Sequence, residues 1–303
     1  MPAITIKGLT KSYGSLQAVR GIDLEVAEGE VFALLGPNGA GKTTTVEILE
    51  GFRKRDAGEV LVLGTDPQNA GRRFREDVGV VLQQTGLDPY LTVAETLEMF
   101  GGYYPHPRPT REVIDVVGLG EKSDVRVTKL SGGQRRRLDV GIALVGDPDL
   151  LFLDEPTTGF DPGARRNAWD MVRNLASFGK TVFLTTHYMD EAQALADRVA
   201  IISRGEIVVE GSPDTLAGRD LEATVVTFRL KRPEALPQDL QAMVDQHNDG
   251  FKHAASDPTE FLHRLTGWAM ESAEQLLALH VTKPSLEDVY LELTKDAETG
   301  EAQ

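Results

Sequence analysis

The sequence predicts an α/β protein in which helices cover both faces of a mostly parallel sheet. Two observations lead to this prediction. Short apolar runs alternate with helical patterns over residues 150–202, as expected of parallel strands joined by crossover helices. The apolar run VFALL at 31–35 leads into GPNGAGKTT at 36–44, and a helical pattern follows. Ligands of such sheets bind beyond the carboxyl ends of the strands.

An antiparallel β subdomain is predicted around the first of these strands. Alternating apolar and polar residues at 3–9 and 22–26 predict strands, and KSYGS at 11–15 predicts the turn between them. Residues 58–64 predict a further strand that ends in a turn.

The pattern between residues 92 and 144 is helical. Helices are predicted at 92–100, 111–117 and 134–145, separated by PHPRP and by LSGGQ. Because a strand predicted at 78–82 precedes them and strands resume at 150, they form a helical subdomain of about 84–146 inserted into the α/β core.

The strand–helix alternation then resumes. The predicted strands are 150–153, 181–185 and 199–202, the predicted helices are 162–178 and 189–196, and a hairpin joins 200–203 to 206–210. These elements complete an α/β domain of residues 1–218.

A small α+β domain is predicted for residues 219–303. Its predicted strands are 223–230, 251–255, 260–265 and 278–282, and its predicted helices are 234–247, 268–279 and 285–294. The strand–helix–strand–strand–helix–strand order is that of a ferredoxin-like unit.

Composition excludes several classes of function. The net charge is −15, with 47 acidic against 32 basic residues, which argues against a nucleic-acid partner. The chain has no cysteine and so no disulfide framework or thiolate metal site. No apolar run approaches the ~20 residues of a membrane span, and the N-terminus lacks the pattern of a signal peptide. We therefore expect a cytoplasmic protein, at most peripheral to a membrane.

The glycine-rich turn predicts a phosphate site. Gly36, Gly39 and Gly41 let backbone N–H groups approach an anion, and the following helix adds its positive end. Lys42 is expected to reach the β- and γ-phosphates, and the Thr43 hydroxyl to ligate Mg²⁺.

Two carboxylates follow the buried strand LLFLD. At the carboxyl edge of a parallel sheet, Asp154 is expected beside the phosphate loop, where it can hold Mg²⁺ through water. Glu155 can polarise the water that attacks the γ-phosphate. A solvated turn is the alternative for this pair, and the upstream phosphate loop disfavours it.

The segment LSGGQ opens a predicted helix. Ser131 and Gln134 fit a capping box, but a cap does not require two consecutive glycines, each of which costs ~1 kcal/mol in a helix. Exposed N–H groups at a helix start form a second anion site. One phosphate loop and a second such site suggest that two copies meet face to face.

Together these motifs resemble the nucleotide-binding subunit of an ATP-binding cassette (ABC) transporter of the drug- and antibiotic-export, daunorubicin-resistance type. The resemblance covers residues 3–217, and KPSLEDVYLELT at 283–294 extends it. It implies a P-loop NTPase core with ATP and Mg²⁺ as ligands. The implied nucleotide-binding residues are Tyr13, Gly36, Pro37, Asn38, Gly39, Ala40, Gly41, Lys42, Thr43, Thr44, Ser131, Gly132, Gly133, Gln134 and Asp161. The implied catalytic residues are Glu155, His187 and Gln83, and the implied metal ligands are Thr43, Gln83 and Asp154.

The smaller sites have ordinary alternatives. Tyr13 is expected to stack on adenine, although a hairpin aromatic is the other interpretation. Gln83 is also compatible with a turn cap, and His187 with an ordinary core or surface histidine. The run RRR at 135–137 is interpreted as a solvated helix face. Phe160 stands where the family more often has leucine.

The resemblance implies that two subunits enclose two ATP molecules, each between the phosphate loop of one copy and LSGGQ of the other. The expected function is ATP hydrolysis that powers efflux of a drug, antibiotic or lipid-like substrate through separate membrane permease subunits. The alternative is a soluble ABC ATPase that acts on ribosomes or DNA. Such proteins carry two cassettes or long coiled-coil insertions, which this sequence lacks.

Overall fold

A computed structural model of the chain describes residues 2–81, 86–216, 224–247 and 250–282. It divides into two compact units, Met1–Pro213 and Asp214–Gln303, and each has an apolar core of its own. The predicted boundary at residue 218 lies in the stretch 217–223, outside the described residues, and stays a prediction. Within the described ranges, no helix is both long enough and apolar enough to cross a membrane.

The first unit contains the α/β core. Its strands are β1 (Pro2–Tyr13), β2 (Leu16–Ala27), β3 (Val31–Leu35), β4 (Ala57–Val62), β5 (Val78–Val81), β6 (Leu150–Asp154), β7 (Thr181–Thr186), β8 (Arg198–Ser203) and β9 (Glu206–Gly211). Its helices are α1 (Lys42–Leu49), α2 (Arg72–Asp77), α3 (Val93–Gly101), α4 (Thr110–Val116), α5 (Gly132–Leu144), α6 (Pro162–Ser177) and α7 (Met189–Leu195), and α8 (Pro213–Leu216) lies at the unit boundary.

The central sheet confirms the predicted fold class. Its strand order is β5-β6-β7-β3-β8-β9, and all pairs are parallel except β8 with β9. Strands β3 and β7 are buried along their whole length, as expected of central strands covered on both faces. Leu35 pairs with Thr186, and Asp154 pairs with Thr185. This register brings the carboxyl ends of β3, β6 and β7 side by side at one edge of the sheet.

The antiparallel subdomain has the strand order β2-β1-β4. Its strands are longer than predicted, because Lys11 and Ser12 belong to β1 rather than to the turn. Tyr13 pairs with Leu16, so that the turn is reduced to two residues. Gly14 has a φ of 61°, a left-handed conformation that glycine adopts without strain, and this makes so short a connection possible.

The inserted helices are α3, α4 and α5. Helices α3 and α5 both begin with a capping box, formed by Thr92 with Glu95 and by Ser131 with Gln134. The helices pack closely at Gly141, where a Cβ would lie 3.2 Å from Leu97 Cδ2. A larger residue at this position would push the helices apart.

The second unit contains a four-stranded sheet. Its elements are β10 (Thr224–Arg229), α9 (Gln238–Gln241), β11 (Asp245–His247), β12 (Gly250–Ala255), α10 (Thr259–Glu271) and β13 (Leu277–Thr282). The strand order is β11-β12-β10-β13, and every neighbouring pair is antiparallel. The buried core comprises Val226, Phe228, Leu230, Leu236, Leu240, Phe251, Phe261 and Leu265. Because 283–303 lie outside the described residues, the predicted helix at 285–294 and the ferredoxin-like description of the whole unit stay predictions.

Three element predictions in this unit were wrong. The predicted helix 234–247 is limited to α9, and 245–247 instead pair with β12 as a short strand. The predicted strand 260–265 belongs to helix α10, because Phe261, Leu265 and Ala269 are spaced by four residues and form its buried face. Residues 277–279, predicted as helical, belong to β13, which pairs with β10.

Candidate active site

The phosphate loop joins β3 to α1, as predicted. Its glycines at 36 and 41 are required by sterics: a Cβ on Gly36 would collide with the carbonyl oxygen of Ile202, and one on Gly41 with that of Ala18. Gly41 also has a φ of 110°, which side chains other than hydrogen strongly disfavour. The loop therefore needs glycine at both positions to adopt this conformation.

The Lys42 ammonium group lies inside this loop. The residue is 5% exposed, and Nζ donates hydrogen bonds to the carbonyl oxygens of Gly36 at 2.8 Å and Pro37 at 3.2 Å. Burial lowers the pKa of Lys42, although the carboxylates of Glu155 and Asp154 oppose this effect. A buried cation is thus held where phosphate oxygens are expected to bind.

Asp154 and Glu155 follow β6 at the neighbouring strand end. The Thr185 hydroxyl donates a hydrogen bond to Asp154 Oδ1, and the Glu155 N–H donates to the Thr185 carbonyl oxygen at 3.2 Å. Glu155 has a φ of 45°, a strained conformation for a residue with a Cβ, at a cost of order 1–3 kcal/mol. Such strain is characteristic of functional sites.

The Glu155 carboxylate lies between two basic groups. Its Oε1 is 3.6 Å from Lys42 Nζ and 3.3 Å from His187 Nδ1, and Thr158 donates a hydrogen bond to Oε2 at 3.1 Å. Burial by itself raises the pKa of Glu155, but the Thr158 hydrogen bond and the charges of Lys42 and His187 bring it below its ordinary value. The carboxylate is therefore ionised at neutral pH, as a general base must be.

The signature segment, residues 131–134, begins α5. Ser131 Oγ accepts a hydrogen bond from Gln134 N at 3.3 Å, and Gln134 Oε1 accepts one from Ser131 N at 3.0 Å. Outside its own helical turn, no described atom lies within 4 Å of where a Cβ on Gly132 would be, so packing against other parts of the described chain does not require that glycine. A cavity of about 500 Å³ opens over the turn and is also lined by Gly159, Phe160 and Asp161. The helix start is capped but leaves open space in front of the glycines.

Tyr13 lies next to the start of α1. Its hydroxyl oxygen is 3.5 Å from Thr44 Oγ1, and the residue is 39% exposed. The Arg53 guanidinium carbon is 5.2 Å from the ring centroid, a cation–π distance. The aromatic ring is thus accessible on the side of the unit that contains the phosphate loop.

The structure describes two of the three remaining predicted residues, Thr43 and Asp161, but not Gln83. Thr43 is exposed in the first turn of α1. Asp161 caps α6, since its Oδ1 accepts hydrogen bonds from the N–H groups of Gly163 and Ala164, both at 2.9 Å. Gln83 lies outside the described residues, and its role stays a prediction.

Sequence reasoning missed three residues of the site. Thr185 and Thr158 hold the two carboxylates, and no motif marks them. Arg136 was wrongly placed on a solvated helix face: it is 9% exposed and donates a hydrogen bond to the Asp154 carbonyl oxygen at 3.0 Å. The spacing on α5 contains a usable signal, because the buried residues Asp139 and Val140 lie three and four positions after Arg136 and so share its face of the helix.

Comparison with known proteins agrees with this geometry. Residues 19–158 match the family model described as ABC transporter. A Nod factor export ATP-binding protein from a Rhizobium species is 40% identical over 300 residues, which cover 96% of this chain and 97% of that protein. One from Ralstonia nicotianae is 38% identical, with 97% and 94% covered.

Solved structures lead to the same family. The ADP conformation of an ATP-binding cassette of an ABC transporter has a TM-score of 0.63 at 25% identity, and the match covers 70% of this chain and 91% of that one. A dimeric, post-hydrolysis cassette bound to ADP and Pi has a TM-score of 0.61 at 26% identity, with 69% and 98% covered. The chain belongs to the ABC transporter family and is one of its ATPases.

Proposed function

We propose that this chain is the ATP-hydrolysing subunit of an exporter that moves a drug, antibiotic or lipid-like substrate through separate membrane subunits. One observation carries the catalytic part of the proposal: the ionised Glu155 carboxylate lies between Lys42 and His187 at the edge of the sheet. The export part is supported by relatives named for the export of Nod factor, which match nearly the whole chain.

The nucleotide is bound along the phosphate loop. Lys42 and the loop N–H groups contact the β- and γ-phosphates, and the exposed ring of Tyr13 stacks on adenine. Asp161 and the signature residues complete the binding of the phosphates.

The oxygen donors at this edge suit Mg²⁺. Thr43 offers an exposed hydroxyl at the start of α1, and Asp154 offers a carboxylate oriented by Thr185. Mg²⁺ commonly uses one or two protein oxygens together with water and phosphate, so this sparse donor set fits, with Gln83 as a further candidate. The ion would neutralise charge on the phosphates.

Glu155 accepts a proton from the attacking water. Its lowered pKa keeps it ionised, and its contact with Lys42 supports a role beside the γ-phosphate. His187, on the same carboxylate oxygen, orients this group and contacts the γ-phosphate. The strained backbone of Glu155 fixes the direction of its side chain.

A second copy of the chain supplies the other half of each site. The open space before Gly132 and the cavity over residues 131–134 leave room for the phosphates of an ATP bound to the partner copy. Closure of the two copies would exclude water from the reacting groups.

The working location is the inner face of the cell membrane, where the chain is peripheral and contacts permease subunits. The alternative, action on ribosomes or DNA, is disfavoured by the net charge of −15. Export relatives also align with 96% of the chain, and so with most of the second unit.

The test is co-expression with the membrane protein encoded beside the gene, followed by transport assays in inside-out vesicles. Wild-type protein is expected to support ATP-dependent uptake of substrate into the vesicles, and Glu155→Gln to abolish it. ATPase activity stimulated by ribosomes or DNA, with no stimulation by the membrane protein, would contradict the export proposal.

A further inference from the structure

The carboxylate of Glu191 is completely buried behind the active site. The residue belongs to the first turn of α7 and has 0% exposure. Its Oε1 accepts a hydrogen bond from the Thr157 hydroxyl at 2.7 Å and one from the Trp169 indole N–H at 3.2 Å. Burial raises the pKa of Glu191, and hydrogen bonds from Thr186, Thr157 and Trp169 oppose this effect.

One side of this contact leads to the catalytic carboxylate. Thr157 follows Glu155 by two residues, in the turn that begins at the end of β6. The next residue, Thr158, donates the hydrogen bond to Glu155 Oε2. A hydrogen bond that fixes the position of Thr157 therefore also restricts the position of Thr158 and, through it, that of the Glu155 side chain.

The other side leads to His187. Thr186 ends β7, and its hydroxyl accepts a hydrogen bond from Tyr188 N at 2.9 Å, so the residues on either side of His187 are joined by a hydrogen bond. Glu191 itself belongs to α7, which begins two residues after His187. Its hydrogen bond with Thr157 therefore links the loop after Glu155 to the segment that carries His187, and His187 Nδ1 lies 3.3 Å from Glu155 Oε1.

We infer that Glu191 is a positioning residue whose buried carboxylate ties the loop after Glu155 to the segment that carries His187, and so fixes the separation of the two side chains. This inference rests on the roles proposed above for Glu155 and His187. A buried carboxylate has a large desolvation cost that its hydrogen bonds must offset. An apolar residue would fill the same space without that cost, so packing alone does not explain glutamate here.

A merely structural role for Glu191 makes a different prediction. The chain offers a matched pair of variants, because Thr157 and Trp169 donate to the same oxygen and only Thr157 belongs to the catalytic loop. Thr157→Val removes one donor at nearly constant volume, whereas Trp169→Phe removes the other donor together with part of the ring system, which adds a packing cost to its effect on stability. If Glu191 only stabilises the fold, both variants should lower thermal stability and neither should affect kcat selectively.

The experiment measures kcat, KM for ATP and Tm for full-length Thr157→Val, Trp169→Phe, Glu191→Ala and Glu191→Gln. Thr157→Val is expected to lower kcat about tenfold with KM unchanged, since small misplacements of catalytic groups lower rates by up to ~10²-fold. Trp169→Phe is expected to lower Tm and leave kcat unchanged. Glu191→Gln retains the acceptor oxygen and is expected to recover most of the kcat that Glu191→Ala loses.

A kcat that falls no further in Thr157→Val than in Trp169→Phe overturns the inference, and this comparison stands even if Glu191→Ala does not fold. Glu155→Gln, measured in parallel, distinguishes failure of the proposed function from failure of the role inferred for Glu191. If Glu155→Gln retains wild-type kcat, the proposed roles of the site are wrong. If it is inactive while Thr157→Val is unaffected, only the role of Glu191 is wrong.

Discussion

The two regions proposed to bind phosphate are built in opposite ways. In the phosphate-loop half-site, which comprises residues 36–44 with Asp154, Glu155 and His187, Lys42 is buried and the charged groups contact one another. The signature half-site, residues 131–134, satisfies its own cap and otherwise faces a cavity. The charged groups of the first region contact one another within one chain, whereas the second faces a cavity of about 500 Å³ that the described residues leave unfilled.

We propose that this difference controls the catalytic cycle. The partly buried charges of the phosphate-loop half-site set the chemistry, because their interactions are stronger than those of fully solvated charges. The capped helix start at residues 131–134 can donate hydrogen bonds to phosphate only when a second copy of the chain brings its bound ATP close. Turnover then depends on dimer formation. The following variants test this division of roles, in order of decreasing expected effect.

The largest effect is expected for Glu155→Gln. Removing the general base should lower kcat by ~10²–10⁴-fold while nucleotide binding persists. Steady-state ATPase assays and nucleotide titrations check this, and size-exclusion chromatography should reveal an ATP-dependent dimer. Wild-type turnover by this variant would remove Glu155 from the mechanism.

Lys42→Ala should weaken nucleotide binding by about 10- to 100-fold, because charge-assisted hydrogen bonds contribute about 1.5–3 kcal/mol. Lys54→Ala is the control, since Lys54 is an exposed lysine close in sequence. The affinity of each variant for a fluorescent ATP analogue is the measurement. Equal affinities in the two variants would contradict the role of Lys42.

Ser131 allows capping to be separated from phosphate binding. Ser131→Asp keeps a strong N-cap but adds a negative charge, whereas Ser131→Ala loses the cap at a cost of about 0.5–2 kcal/mol. We expect Ser131→Asp to be stable and to bind nucleotide as a monomer but not to form the ATP dimer. Ser131→Arg should also block dimer closure.

If Ser131 serves only as a cap, Ser131→Asp should be less harmful than Ser131→Ala. Ser131→Asp would then retain turnover, and Ser131→Ala would show the lower Tm together with any loss of activity. ATPase assays, melting curves and light scattering in the presence of ATP distinguish the two outcomes.

Truncation after Gly218 tests whether the second unit supports assembly. Because the first unit has its own core and contains both half-sites, nucleotide affinity should be unchanged. The dimerisation constant is expected to weaken about tenfold, equivalent to ~1.4 kcal/mol. An insoluble truncated protein would show that the two units depend on a shared core.

A change in stability, with the smallest change in activity of this series, is expected for Glu50, which follows α1. Burial, together with the charges of Asp154 and Glu47, raises the pKa of Glu50 to about 8. The folded state therefore holds this proton at a higher pH than the unfolded state, and stability should fall as pH rises from about 4.5 to about 8.

In Glu50→Gln this loss should be absent. A pKa raised from 4.5 to about 8 corresponds to ~5 kcal/mol, so at ~2–4 °C per kcal/mol the Tm of this variant should exceed that of wild type by on the order of 10 °C at high pH. Differential scanning calorimetry across this pH range is the measurement. Parallel Tm profiles for the two proteins would show that Glu50 ionises without cost.

The sequence predicted the local structure of the candidate site well. The phosphate loop, the strand end with Asp154 and Glu155, and the capped turn at Ser131 lie where their motifs indicated. It predicted the second unit less well, because 260–265 has an ambiguous apolar spacing and because the pairing of 245–247 with β12 depends on a partner strand. The helical assignment of 234–247 failed for that reason.

The sequence alone determined the positions of those side chains that follow directly from a strand, a turn and the start of a helix. These conformations are set by residues that are neighbours in the sequence. The tertiary structure decided which distant residues meet. Thr185 holds Asp154, Arg136 reaches the Asp154 carbonyl, and Glu191 joins Thr157 to Trp169. These contacts depend on strand register and helix packing, which bring together residues with no spacing rule between them.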